Sequence, residues 1–216
     1  VVQPGFERVL RLVFDTVDEM GFPVRRSLIC EIMGKYSNII FCGENDRILG
    51  ACRAVDFTTS QKRQVLPGMT YELPPAQDKL NPLEAEAADI DALAAERSAT
   101  GELRADKFIT SNYLGISSLL AREIARRTAD GKYPTLGTAL SAVMTDIKDG
   151  RFEPTIVRDA GGMPVEYCFI SLSLYDDGYT TDSYDSASAM LESYYGERDR
   201  AERLRAREAD IIHLLG

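Results

Sequence analysis

Four consecutive polar side chains stand between two apolar runs in the first fifth of the chain. They follow Gly34 and are Lys35, Tyr36, Ser37 and Asn38. Ammonium, hydroxyl and amide groups are the usual donors to phosphate and sugar oxygens, so this run could bind a phosphate, a sugar or an RNA backbone. The alternative is a polar loop in which Ser37 and Asn38 cap a turn, and the pattern by itself favours that interpretation.

Two further charged pairs carry the same kind of chemistry. Glu7 and Arg8 follow the turn-forming letters QPGF, and the pattern of residues 6–14 predicts a strand, on which at most one of the pair faces the core. Lys62 and Arg63 are adjacent cations in a predicted loop and could meet phosphates. The alternatives are a solvated ion pair for the first pair and a solubility patch for the second.

The letters LGIS at 114–117 lie between two predicted helices. Gly115 and Ser117 resemble the turn of a helix-hairpin-helix, in which a glycine and a helix N-terminus present free amides to a nucleic-acid backbone. Any helical hairpin can use glycine and serine at such a turn, so the signal is weak.

Groups for bond chemistry are sparse in this sequence. The four cysteines stand at 30, 42, 52 and 168 without a CxxC pair, and His213 is the only histidine. A zinc site is therefore not expected. No nucleophile–base pair, phosphate-binding glycine loop or carboxylate dyad stands out, so we expect neither an enzyme nor a cofactor.

The composition is that of an ordinary soluble globular protein of 216 residues. A formal net charge of −9 argues against broad, non-specific binding to nucleic acid but leaves room for a local basic site. Apolar runs are too short to span a bilayer and no export signal is visible, so we expect no membrane association. Cysteines in apolar runs indicate a reducing compartment, hence the cytoplasm.

The order of predicted elements indicates an α+β chain. We predict an antiparallel β-rich lobe over 1–83, a helical module with the helix-hairpin-helix over 84–150, a β-hairpin segment over 151–185, and exit helices that begin a coiled coil over 186–216. Strands are predicted at 6–14, 25–33, 38–41, 47–55, 155–158 and 165–174. Helices are predicted at 84–97, 103–114, 119–128, 134–148 and from about 186 to 215.

Five blocks of the sequence match blocks of a known family and come in the same order. They are QPGFER (3–8), EIMGKYSNII (31–40), RQVLPGMTYELPPAQDKLNPLEA (63–85), YLGISSLLAREI (113–124) and YYGERDRAERLRAR (194–207). Over nearly the whole chain the sequence resembles the NFACT family, the ribosome-quality-control factors of bacteria with their eukaryotic and archaeal relatives, also labelled fibronectin-binding protein A-like. The resemblance implies that the β-rich lobe is the later part of a glycosylase-like N-terminal domain.

The resemblance also implies a function. Family members bind an obstructed large ribosomal subunit that still holds peptidyl-tRNA, and recruit aminoacyl-tRNA, alanyl-tRNA in bacteria, for untemplated tailing of the stalled chain. The family's acidic-Arg pair corresponds to Glu7 and Arg8. Lys35 and Tyr36 replace the usual Arg and His of the second block. Lys35 keeps the positive charge but lacks the bidentate fork of arginine, and Tyr36 keeps an aromatic ring.

Two partner expectations complete the sequence prediction. The older family label implies fibronectin as an alternative partner of a surface adhesin, against which the lack of a visible export signal counts. A lobe without partner strands would expose an apolar edge, so we expect a homodimer.

Overall fold

The computed structural model describes residues 1–99, 101 and 104–215, with side chains described as far as residue 207. The chain forms two compact units. They are Val1–Asn81 with Asn112–Gly115, and the described parts of Pro82–Ser111 with Ile116–Gly216. Antiparallel sheets and five α-helices among the described residues confirm the predicted α+β class. The predicted division into four segments stays a prediction, since packing units do not by themselves define domains.

The first unit is built on a four-stranded antiparallel sheet in the order β1-β2-β3-β4. Its strands are β1 (Val9–Val17), β2 (Pro23–Glu31), β3 (Asn38–Cys42) and β4 (Ile48–Ala51). Successive side chains alternate between the two faces of a strand. One face therefore carries the core, made of Val9, Ile29, Ile40, Cys42 and Ile48, and is closed by Val65 and Tyr71 from the following loop.

The opposite face of this sheet remains open and apolar. Phe14, Ile39 and Phe41 are between 41% and 46% exposed. The sheet edges are partly covered instead, because Val2 pairs with β1 at Arg11 and the Ile48 N–H donates to the Met69 carbonyl at 2.7 Å. The exposed apolar surface is thus a face of the sheet, whereas the sequence predicted an edge.

The first predicted strand begins three residues later than expected. Strand β1 starts at Val9, so Glu7 and Arg8 lie in the turn before it. The Glu7 N–H donates to the Pro4 carbonyl at 3.2 Å, and Gly5 adopts a left-handed φ of 53°. The alternation of sequence 6–14 was misleading because this proline–glycine turn reverses the chain before pairing with β2 begins.

The second unit contains most of the helical part of the chain. Its helices are α1 (Ala87–Ala99), α2 (Ala105–Asn112), α3 (Ser118–Ala129) and α4 (Leu136–Lys148), of which α2 ends at the first unit's Asn112. The predicted start of the second helix, Leu103, lies outside the described residues. Helices α1 and α4 touch at Gly137, where a Cβ atom would lie 2.1 Å from the Ala87 carbonyl oxygen. Only glycine allows this approach.

The C-terminal part of this unit differs from the predicted hairpin. Strands β5 (Thr155–Arg158), β6 (Pro164–Cys168) and β7 (Thr180–Ser183) form a sheet in the order β6-β5-β7. The third strand escaped prediction because all four of its residues are exposed and polar, so it has no apolar alternation.

The sheet is followed by helix α5 (Ala187–Leu215), whose first turns pack Met190 and Tyr194 against Ile156. The sequence offers Leu204, Ile211, Leu214 and Leu215 as apolar positions for the predicted start of a coiled coil. Leu204 is 59% exposed and the side chains of the other three lie outside the described part, so the coiled coil stays a prediction. Among the described helices, none combines the length and apolar character needed to cross a bilayer.

Candidate nucleic-acid interface

The segment that joins β2 to β3 forms a compact turn at one end of the first sheet. It contains a short 3-10 helix, Gly34–Tyr36, which starts at a left-handed glycine with φ 57°. Just before it, the Ile32 N–H donates to the Arg8 carbonyl at 2.8 Å. This bond continues the pairing of β1 with β2 and places Arg8 at the same end of the sheet as the turn.

Ser37 and Asn38 make their hydrogen bonds within the protein. The Ser37 Oγ accepts from the Met33 N–H at 2.9 Å. Asn38 is 5% exposed, and its amide donates to the Arg53 carbonyl at 2.8 Å while its Oδ1 accepts from the Arg53 N–H at 2.9 Å. Ser37 and Asn38 therefore stabilise the loop, which is the alternative that the sequence pattern favoured. RNA binding by these two residues stays a prediction.

Lys35 and Tyr36 point away from the sheet. Both are exposed, Tyr36 by 67%, and the Lys35 Nζ lies 5.0 Å from the centre of the Tyr36 ring. Such a cation–π contact leaves the other face of the ring open. The Arg53 guanidinium reaches the same turn and donates to the Lys35 carbonyl. We call Arg8, Lys35, Tyr36 and Arg53 the cationic loop surface.

The cationic loop surface has the chemistry of a site for a polyanion. Within the described residues its three cations, Arg8, Lys35 and Arg53, form no ion pair with a carboxylate. Glu7 beside Arg8 is the nearest acidic residue in the sequence. Cations can contact phosphates, and an exposed aromatic ring can stack on an unpaired base. The surface is thus a local basic site in a chain whose net charge is −9.

Arg63 lies inside the first unit rather than on the surface. Its Nη2 is 2.6 Å from the Glu31 carboxylate, with the two side chains 12% and 4% exposed. The Tyr71 hydroxyl donates to the same Glu31 oxygen at 2.9 Å. Burial, with the charge of Glu31, raises the pKa of Tyr71 above its ordinary value, so this hydroxyl stays protonated at neutral pH.

Because its guanidinium is held by Glu31, Arg63 presents little to a phosphate, and its predicted RNA contact remains without geometric support. Its neighbour Lys62 is exposed, and its contact with RNA stays a prediction.

The remaining predicted residues fall in different units. Gly115 belongs to the first unit, where a Cβ atom would lie 2.0 Å from the Phe6 ring, so Phe6 packs directly on its backbone. This contact ties Gly115 to the turn that carries Glu7 and Arg8. Ser117 belongs to the second unit and caps α3, because its Oγ accepts from the Leu120 N–H at 3.1 Å.

Sequence reasoning missed two residues of this region, Arg53 and Tyr71. Arg53 follows β4 by two positions, whereas the sequence placed it inside the predicted strand 47–55, so nothing marked it as a site residue. Tyr71 lies in the third block of the family resemblance and could have been suspected as a buried aromatic partner. Across the described residues there is no cluster of three or more His, Cys, Asp or Glu side chains able to hold a metal ion.

A family model described as the NFACT N-terminal and middle domains matches residues 1–216. The protein named Rqc2 homolog RqcH of Bacillus subtilis (strain 168) is 34% identical over 207 residues, which cover 94% of this chain and 35% of that protein. The protein of the same name from Streptococcus suis (strain 05ZYH33) is 27% identical over 207 residues. This chain spans about a third of the length of these relatives.

Two solved structures are similar to this chain. The fibrinogen binding protein from Staphylococcus aureus superposes with a TM-score of 0.70 at 26% identity, over 90% of this chain and 68% of that one. The N-terminal part of the fibronectin/fibrinogen-binding protein from Streptococcus suis gives a TM-score of 0.67 at 26% identity, over 90% and 66%.

Proposed function

This chain belongs to the NFACT family, and we propose that it is the tRNA- and large-ribosomal-subunit-binding part of a ribosome-associated quality-control factor. The cationic loop surface is the observation that carries this proposal, because three exposed cations with no ion pair among the described residues, and one exposed ring, lie at the same end of the sheet in a chain of net charge −9. The relatives named Rqc2 homolog RqcH support the quality-control role.

The finer proposal concerns what the whole protein does with tRNA. It would bind a large subunit that still holds peptidyl-tRNA and recruit alanyl-tRNA for untemplated C-terminal tailing of the stalled chain, in the cytoplasm. In this scheme the chain binds and positions RNA, with no cofactor, and leaves bond formation to the ribosome. A surface of cations and one aromatic ring suits that division, because it offers binding energy without a nucleophile or base.

The test is a filter-binding titration of the chain with deacylated tRNA at several salt concentrations. We expect the double variant Arg8→Ala with Lys35→Ala to bind about tenfold more weakly or worse, with a salt dependence shallower by about one to two counterions. The matched control removes two exposed cations elsewhere, Arg25→Ala with Lys148→Ala. Equal losses in the two double variants would mean that only net charge matters and would refute the site.

A second candidate function is binding to fibronectin or fibrinogen, favoured by the names of the two structural neighbours. Surface plasmon resonance on immobilised fibronectin and fibrinogen, with an unrelated acidic protein as the reference, would test it. Saturable binding that is unchanged in the Arg8→Ala, Lys35→Ala variant would support this second function. Failure to bind either protein would leave the RNA proposal alone.

A further inference from the structure

Arg53 contacts both Asn38, the first residue of β3, and the turn that bears Lys35 and Tyr36. Its backbone N–H and carbonyl both bind the Asn38 side chain, at 2.9 Å and 2.8 Å. Its guanidinium donates to the Lys35 carbonyl. Asn38 is buried at the start of β3, so its two bonds hold the Arg53 backbone in place. The Arg53 guanidinium therefore extends to the turn from an ordered backbone.

Besides Arg53, the turn is held by short-range contacts, among them the bond from the Met33 N–H to the Ser37 Oγ at 2.9 Å and the packing of Met33 on the core. It buries none of its residues, and its own backbone bonds are the Tyr36 N–H to the Met33 carbonyl at 3.1 Å and the Ser37 N–H to the Gly34 carbonyl at 3.0 Å. A single 3-10 turn is weakly stabilised by its own hydrogen bonds. A bond from a charged donor is stronger than a neutral one, so the Arg53 contact is well suited to select one conformation.

We propose that Arg53 is a positioning residue for RNA recognition. It fixes the Gly34–Tyr36 turn, and thereby the directions of the Lys35 ammonium and the Tyr36 ring, before RNA arrives. This proposal rests on the proposed function, which it deepens by assigning a role to a residue outside the predicted set. Fixing the turn in advance lowers the entropy cost of binding, because the RNA does not have to order the turn.

The competing role for Arg53 is a direct phosphate contact. A guanidinium has five N–H donors and the Lys35 carbonyl uses one of them, so the side chain could serve both purposes. The two roles differ in energetic coupling. A positioning residue acts through Lys35 and Tyr36 and loses its effect when their side chains are absent, whereas a direct contact retains its effect.

The decisive experiment is a double-mutant cycle on tRNA affinity. Its members are the wild type, Arg53→Ala, the pair Lys35→Ala with Tyr36→Ala, and all three changes together. We expect Arg53→Ala to weaken binding by about tenfold in the wild-type background and by less than about twofold where Lys35 and Tyr36 are already alanine. Arg53→Lys, which keeps a charged donor, should lie between the wild type and Arg53→Ala. Equal losses in both backgrounds, or a salt slope reduced by about one counterion in Arg53→Ala, would overturn the proposal in favour of a direct contact.

Amide hydrogen exchange without RNA supplies a readout that does not depend on the proposed function. We expect the Tyr36 and Ser37 amides to exchange at least about fivefold faster in Arg53→Ala, with Ile40 in β3 unchanged as the internal reference for an intact sheet. Unchanged exchange at Tyr36 and Ser37 would overturn the proposal. Faster exchange together with no tRNA binding by the wild type would refute the proposed function, and RNA positioning with it, while the dependence of the turn on Arg53 would stand as measured.

Discussion

The Arg63 Nη2 lies 2.6 Å from the Glu31 carboxylate, and both side chains are removed from solvent. Glu31 is the last residue of β2, so this ion pair lies at the point where the chain leaves the sheet for the cationic loop surface. Arg63 also stacks over the Tyr71 ring, with its Cζ 4.9 Å from the ring centre. The pair therefore fastens the long loop after β4 to the sheet.

Removing Arg63 should destabilise the fold. In Arg63→Met the Glu31 carboxylate would stay buried without its cation, and breaking a buried pair from one side typically costs about 3 kcal/mol. The matched control is Lys62→Met, which removes the neighbouring exposed cation and should change the free energy of unfolding by no more than about 0.5 kcal/mol. Urea denaturation of both variants measures the difference, and equal midpoints would contradict the buried-pair interpretation.

Gly115 should not tolerate a methyl group. Its φ is 70°, and a Cβ atom would stand 2.0 Å from the Phe6 ring. Gly131 has a similar φ of 74° with nothing within 4 Å, so Gly131→Ala isolates the backbone cost. We expect about 1 kcal/mol for Gly131→Ala and at least about 1 kcal/mol more for Gly115→Ala, as overpacking requires.

The same pair of variants links packing to RNA binding. Phe6 precedes Glu7 and Arg8, so Gly115→Ala should also lower tRNA affinity by displacing that turn, and Gly131→Ala should not. Adding Phe6→Leu to Gly115→Ala should recover part of the lost stability. If the two glycine variants lose equal stability, Phe6 does not pack on Gly115 in solution.

Acid should reduce the stability of the fold by protonating Glu197 of α5. Arg158 binds Glu197 at 2.6 Å, and this hydrogen bonding lowers the pKa of Glu197 from 4.5 to about 2. The unfolded chain then binds more protons than the native one between these values, so the stabilisation is complete above pH 4.5 and is lost as the pH falls towards 2. The stability difference between the wild type and Glu197→Gln should shrink over that range.

Unfolding curves between pH 6 and pH 2 measure this effect. Glu192→Gln, which removes an exposed carboxylate from the same helix, controls for the loss of one negative charge. A difference between wild type and Glu197→Gln that stays constant across the range would show that Arg158 does not hold Glu197 in solution.

Self-association of the chain stays a prediction, and the open face of the first sheet is the surface it would use. Ile39 and Phe41 lie on that face, opposite Cys30 and Leu28 of β2. Apolar side chains exposed to this extent favour association. We expect sedimentation equilibrium to detect dimers at micromolar concentrations, and Ile39→Thr with Phe41→Thr to abolish them. A monomer at every concentration would refute the prediction.

Local pattern was sufficient for much of the fold. The core face of β3 follows from its apolar residues two positions apart, Ile40 and Cys42, because alternation is a property of the strand itself. The helices were also predictable, as in α4, which was predicted at 134–148 and begins at Leu136 after its cap Thr135. Strand β7 was missed because its pairing with β5 is decided by a neighbour and not by its own residues.

The sequence by itself determined the α+β class, the order of most elements and, through its blocks of letters, membership in the NFACT family. It also identified Lys35–Asn38 as the segment of interest. Only the tertiary structure separated Lys35 and Tyr36, which face solvent, from Ser37 and Asn38, which hold the loop. The tertiary structure also showed that Arg63 lies in the interior and that Arg53 contacts the turn. The contacts of Arg53 with Asn38 and Lys35, and of Arg63 with Glu31, join residues 15 to 32 positions apart, and the pairing of strands, not local propensity, sets such contacts.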